Sequence, residues 1–235
     1  MWRPGLRVVN GRAQTYFTRR QIEQGQLSAQ NLELVYLRSW PDLFFMQVQG
    51  SGRVRLREGG HVLLAYAAKT GLPYTSIGKV LIDRNELTRE EMSMQALRAW
   101  LKQNPGKARP VMWENKSYVF FRELKDHSTG SGPIGAQKLP LTPLRSLAVD
   151  RKFWALGVPL WVSTTVYDDG QIRAFDQLMI AQDTGSAIKG ATRGDVFMGT
   201  GHQAGLDAGV MDQAGSLTAL VPHGLATRLL RKHGR

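Results

Sequence analysis

Apolar and polar positions recur along this chain in short runs, and their period changes past the middle. Thr18 opens TRRQ, with Gln21 three residues on, the pattern of a capping box at a helix start. Gly25 ends that short helix, and Ser28 caps a second brief turn. Leu32, Leu34 and Tyr36 alternate with polar neighbours, which predicts a strand over 32–37. The run 43–49, LFFMQVQ, is apolar and β-prone and reads as a strand with Gln47 and Gln49 on one face. Arg53, Arg55 and Arg57 alternate with Val54 and Leu56, a strand with one basic face. Residues 61–68 lie between glycines, and Val62, Leu64 and Tyr66 favour another strand. Residues 70–78, with Gly71, Pro73 and Gly78, read as a turn-rich link. Thr88 opens the clearest helix: Glu91 completes a capping box, and Met92, Ala96, Leu97, Trp100 and Leu101 form an apolar stripe. Asn104, Pro105 and Gly106 end it. Strands are predicted over 111–113 and 117–121, and 126–133 is loop.

After 138–145, which carries Pro140 and Pro143, helical periodicity fades, and a domain boundary is expected there. SLAVD at 146–150 is a strand ending in an acid. Residues 154–164 read as strand, turn and strand around Gly157 and Pro159, and Asp168, Asp169 and Gly170 as a hairpin turn. A strand over 177–181 runs into Asp183, and one over 196–198 follows Asp195. A last strand (216–221) and a basic helix (225–231) complete the chain. Many short strands in so small a stretch predict a small closed barrel.

Composition narrows this little. The 235 residues suffice for one large domain or two modest ones, and 42% hydrophobic with 21% charged residues is globular. Cysteine is absent, which excludes disulfides and thiolate metal sites. No apolar run reaches the length of a membrane span. The charge of +12 draws the chain to polyanions: nucleic acid, anionic membrane or an acidic cell-wall polymer. Apart from the tail from Arg228 to Arg235 the basic residues are dispersed, and no nucleic-acid-binding motif accompanies them, so nucleic acid is not expected as a partner.

Candidate chemistry concentrates in Gln182–Gly201, QDTGSAIKGATRGDVFMGTG. Two acids, Asp183 and Asp195, stand on a glycine-rich stretch with Lys189 and Arg193 between them. Glycine lets a chain turn tightly or admit a ligand to its backbone, and charged groups on braced loops are candidates for a site. A run of solvated turns reads the same way. Asp150, at a strand end, is a third acid, with a turn cap as its plainer role. His127 lies in the loop DHSTGSGP (126–133) and is not read as catalytic, and the five histidines lack ligand spacing, so neither metal nor cofactor is expected.

LAVD (147–150), LGVPLWV (156–162), QDTGSAIKG (182–190) and RGDVFMGTG (193–201) resemble the three-aspartate (3D) domain of the membrane-bound lytic murein transglycosylase A (MltA) family. Upstream, FFMQVQGSG (44–52), PYTSIGKVL (73–81), EEMSMQALRAWL (90–101), SYVFF (117–121) and GPIGA (132–136) resemble it too. The resemblance implies a mainly β fold with a few helices: a double-psi β-barrel over 144–225, a second mainly β domain over 1–140, a glycan groove between them, and a basic tail over 226–235. It implies cleavage of the β-1,4 bond between N-acetylmuramic acid and N-acetylglucosamine in peptidoglycan. The muramyl C6 hydroxyl attacks and a 1,6-anhydro end remains. Because the nucleophile belongs to the substrate, one carboxyl can give a proton to the leaving oxygen and then take the hydroxyl's. The resemblance places it at Asp195. An aspartate in water titrates near ~3.9, so such an acid needs burial or a second carboxylate to keep it neutral. Asp183 and Asp150 are expected as its supporting groups. Lys189 and Arg193 are expected to point at substrate or solvent. Gln47, Gln49, Ser51, Tyr74 and Ser76 are expected to line the groove. The expected partner is a peptidoglycan glycan strand, the location the periplasmic face of a Gram-negative outer membrane, and the state a monomer. An export signal and the family's N-terminal segment do not appear in these residues, so a chain lacking its N-terminal part is expected, with a non-catalytic peptidoglycan-binding fragment as the alternative reading.

Overall fold

The computed structural model describes residues 5–124, 132–168 and 171–233, which form two compact units, 1–129 and 130–235. The first unit opens with a hairpin of β1 (Leu6–Val9) and β2 (Arg12–Thr15). The capping box at Thr18 forms as the sequence predicts: Thr18 accepts from the Gln21 N–H at the start of the single turn α1 (Arg19–Gln21). Residues 32–37 form no strand, and their side chains are mostly exposed.

The stretch read as a strand at 43–49 is helix α2 (Trp40–Gln49). Its end signals outweigh the β preference of Phe and Val. The Ser39 hydroxyl accepts from the Asp42 N–H, Pro41 sits in the first turn, and Gly50 closes the helix at φ 81°. Gln47 and Gln49 therefore do not share a strand face. After it β3 (Ser51–Arg55), β4 (His61–Lys69) and β5 (Val119–Glu123) make an antiparallel three-stranded sheet in the order β3-β4-β5. Part of the supposed link at 70–78 belongs to helix α3 (Ile77–Asp83), capped by Ser76.

The Thr88 capping box also forms, yet it closes only a turn, and helix α4 (Met94–Gln103) starts from a second cap at Ser93. The Asn-Pro-Gly stop ends α4 and at once starts α5 (Pro105–Glu114), because proline is suited to the first helical position. Residues 111–113, read as a strand, lie in α5. The core of this unit is accordingly helical: Phe44, Phe45, Leu81, Trp100, Leu101 and Met112 are buried together. The predicted apolar stripe forms part of it.

The second unit is built on a curled five-stranded sheet in the order β10-β7-β8-β6-β9. Its strands are β6 (Ser146–Val149), β7 (Pro159–Asp168), β8 (Gln171–Asp183), β9 (Gly194–Val196) and β10 (Ser216–Ala219). β7 and β8 pair antiparallel from Pro159↔Ile180 to Asp168↔Gln171. β6 pairs parallel with β8 and antiparallel with β9. Leu147, Val149, Leu160, Met179 and Ala181 form its core, each at most 1% exposed. Helix α6 (His202–Gly209) lies between β9 and β10, and the basic helix α7 (His223–His233) follows. Helix and strand are about equally represented, so the fold is mixed α/β rather than mainly β; the helices of the first unit make the difference. His127 and Asp169 lie outside the described residues.

Candidate active site

Three strands of the second unit bring two acids together. Ala148 on β6 pairs with Asp195 on β9 and with Asp183 on β8. Partners in register share a sheet face, and the neighbouring trio Leu147, Val196 and Ala181 packs on the opposite, core side. Asp183 and Asp195 thus stand on one face, their Cα atoms two strand spacings or roughly 10 Å apart. Alanine between them leaves that face low.

A bulge makes this possible. The partner of Leu147 on β8 is Ala181, but the partner of Ala148 is Asp183, so Gln182 is an extra residue. Alternation from buried Ala181 would send Asp183 to the core side; the bulge re-aims it beside Asp195. The Gln182 side chain accepts from the buried Ser146 hydroxyl, which anchors the bulge.

The loop 132–137 packs on this bulge. The Gln182 carbonyl accepts from the Gln137 N–H at 3.0 Å, and the Asp183 carboxylate accepts from the Ala136 N–H at 3.0 Å. A Cβ at Gly135 would lie 2.7 Å from the Gln182 carbonyl oxygen, so the approach requires glycine. Asp183 is half-buried, and loss of solvent raises its carboxyl above the ordinary range, against the pull of the Thr184 and Ala136 N–H groups.

Asp150 has a different place. It is 6% exposed, and its two carboxylate oxygens accept from the Gly190 and Lys152 N–H groups at 3.0 Å. Those bonds hold its carboxyl below the ordinary range, with the nearby charges of Lys189 and Lys152 helping. Its carbonyl also accepts from Phe153 and Trp154, and the Trp154 indole donates to the Ala191 carbonyl at 2.8 Å. Asp150 therefore ties the end of β6 to the loop before β9, the turn-cap role. Exposed Lys189 lies on that loop.

Asp195 is 43% exposed at its side chain, and its Oδ1 accepts from Arg193 Nε at 2.6 Å. Arg193, expected to point at substrate or solvent, is half exposed and engages Asp195 through Nε. That carboxylate, with Asp212 contributing, raises the Arg193 guanidinium. Arg193 immediately precedes β9 and Asp195 lies on it, a spacing of two that puts both side chains on one face of extended chain.

The remaining candidates lie in the first unit. Gln47 is 3% exposed and spent internally: it accepts from Arg19 Nη1 and donates to the Val119 carbonyl. Gln49 is exposed at the end of α2, and half-buried Ser51 pairs with Ala65. The Ser76 hydroxyl caps α3 by accepting from the Lys79 N–H. Tyr74 is half-buried, which raises its phenol, while Arg19 opposes the rise. Arg19 itself went unremarked in the sequence. It is 1% exposed, pairs with Glu23 at 3.2 Å, donates to the Asn115 and Ser117 carbonyls, and lies against the Phe44 ring. Among the described residues no three His, Cys, Asp or Glu side chains gather closely enough to hold a metal ion, and no helix is long and apolar enough to cross a membrane.

Residues 3–122 match the model of the MltA specific insert domain, and residues 145–221 match that of the 3D domain. The chain belongs to the MltA family. It is 38% identical over 198 residues to membrane-bound lytic murein transglycosylase A of Vibrio cholerae, covering 82% of this chain and 52% of that one. To the Escherichia coli K12 protein of the same name it is 37% identical over 211 residues, 86% of this chain and 55% of that one. The chain thus spans about half the length of these relatives. Among solved structures it is similar to a membrane-bound lytic murein transglycosylase of Agrobacterium tumefaciens, with a TM-score of 0.86 and 39% identity over 94% of this chain and 60% of that one. It is also similar to E. coli MltA with bound chitohexaose, with a TM-score of 0.75 and 34% identity over 87% and 62%. The two family models fall one on each structural unit, so both the acid-bearing sheet and the helical core are family features.

Proposed function

We propose that this MltA chain is a lytic transglycosylase that cuts the muramyl β-1,4 bond of peptidoglycan and leaves a 1,6-anhydro end. The observation that carries the reading is the placement of Asp183 and Asp195 on one sheet face by the Gln182 bulge, in a family whose relatives are named for this activity. Asp195 is the general acid: it gives its proton to the leaving oxygen as the glycosidic bond lengthens. The carboxylate so formed takes the proton of the C6 hydroxyl as that oxygen closes on the anomeric carbon. The proton count balances with one carboxyl and no water. The barrel reading extends to a double-psi barrel over 144–225 with the insert domain over 1–140. Gln49, Ser51, Tyr74, Ser76 and Lys189 remain candidates for sugar contacts, whereas Gln47 is committed to Arg19. The bound chitohexaose of the E. coli relative supports glycan as the ligand, and the membrane-bound relatives support the periplasmic face of an outer membrane.

The Arg193 guanidinium engages Asp195 Oδ1 at 2.6 Å, and that carboxyl must be free to reach the leaving oxygen. The mechanism therefore requires the Arg193–Asp195 pair to open when glycan binds. Half-buried Asp183 shares this face with Asp195. Two carboxyls on one face also suit a water-using glycosidase; the product separates the two. Purified sacculi incubated with the protein are expected to release muropeptides ending in 1,6-anhydromuramic acid by mass spectrometry, and Asp195→Asn is expected to release none. Reducing ends would mean hydrolysis, and sacculus binding without release would mean a wall-binding protein.

A further inference from the structure

We infer that Arg193 is a receptor for a carboxylate carried by the muramyl residue of the glycan, and that in the free protein Asp195 occupies it. This rests on the transglycosylase reading. The side chain is half exposed, and its one hydrogen bond among the described residues runs from Nε to Asp195 Oδ1. Its Nη edge therefore donates to no protein group there. A guanidinium offers five donors in a fixed planar fork, matched to a carboxylate. Here one edge is engaged and the other faces outward.

The hydrogen bond and charge of Asp195, with the charge of Asp212, raise the Arg193 guanidinium. The chain as a whole carries +12, which concentrates anionic ligands around it. An anionic group docking on the open edge competes with Asp195 for the same cation. As the guanidinium turns to it, the Asp195 carboxyl is freed to face the glycan. Recognition of the muramyl carboxylate and release of the acid become one event, and a neutral chitin-type glycan triggers neither. That carboxylate has two sources, the lactyl group of a peptide-free muramyl residue or the stem peptide attached to it.

The test is calorimetric titration of the full chain with four probes: a peptide-free N-acetylglucosaminyl-muramyl tetrasaccharide, the same compound with its lactyl carboxylates amidated, the tetrasaccharide bearing stem peptides, and chitohexaose. An exposed ion pair predicts that the wild type prefers the carboxylate form over its amide by about fivefold. A preference confined to the stem-peptide probe assigns the peptide as the source. Arg193→Gln brings the carboxylate probe and its amide to equal affinity, and a thermal melt matching the wild type reports an intact fold. Arg193→Lys retains part of the preference. An unchanged ratio in Arg193→Gln overturns the inference, and so does failure of every probe to bind. Anhydro products made by a protein whose ratio does not respond to Arg193→Gln would sink the receptor while sparing the transglycosylase reading.

Discussion

At the scale of single residues, the three aspartates sit in three electrostatic settings, and two of them predict opposite pH behaviour. Asp150 is held low by two backbone N–H groups, so its folded-state value lies below the unfolded one. Its contribution to stability is complete above the unfolded value near ~3.9 and is lost as pH falls through the folded one. Asp150→Asn should therefore lower Tm at pH 7, and the gap to wild type should close on acidification below about pH 4. Asp183 is raised by desolvation, so its ionised form costs the folded state stability above its folded value. Asp183→Asn keeps an oxygen to accept from Ala136, and should raise Tm at pH 7, with the gain vanishing below about pH 4. Melting curves of both variants between pH 3 and 7 check the pair; gaps that do not change with pH would refute both assignments. In the sequence Asp183 and Asp195 share one glycine-rich stretch, and Asp150 ends a strand with a turn cap as its plainer role. What separates them is hydrogen bonding from Gly190, Lys152 and Ala136, residues distant along the chain or on bends without periodicity.

At the scale of elements, local end signals decided more than side-chain preference did. Ser39, Pro41 and Gly50 form a complete set of helix ends around LFFMQVQ, and the helix they enclose buries Phe44 and Phe45. Pro105 was legible as a stop; that it also starts α5 follows from proline's fit to a first helical turn. The strands of the second unit were readable because hairpin and alternation are local. The Gln182 bulge was not, since it appears only when β8 meets β6. Two predictions belong here. Gly135→Ala places a methyl against the Gln182 carbonyl and the Leu141 side chain, and should cost about 1–3 kcal/mol in chemical denaturation. It should also lower glycan cleavage, because the loop that donates to Asp183 must shift; full activity would show that this loop does not position the acid. Arg19→Met removes the buried partner of Glu23 and the donor to two carbonyls, and should cost about 3 kcal/mol. A loss under 1 kcal/mol would mean that Arg109, 3.9 Å from Glu23, replaces it.

At the scale of the whole molecule, two cores of different character coexist in one chain, a helical one in the insert domain and a sheet core in the 3D domain. The charge of +12 belongs to the molecule and not to the site. It predicts that binding to purified sacculi weakens as salt rises from 50 to 500 mM, a rough bracket of the range over which exposed charges become screened. The same salt slope should hold for Asp195→Asn, since one half-exposed carboxyl is a small part of the field; a slope that changed sharply would place the acid in the binding step instead of the chemical one.

If the glycan supplies its own nucleophile while Asp195 carries the proton, no oxygen from water enters the product. Cleavage of sacculi in water enriched in oxygen-18 should therefore yield unlabelled 1,6-anhydro ends from the wild type and none from Asp195→Asn. Reducing ends carrying oxygen-18 would contradict it, because water would then be the attacking group.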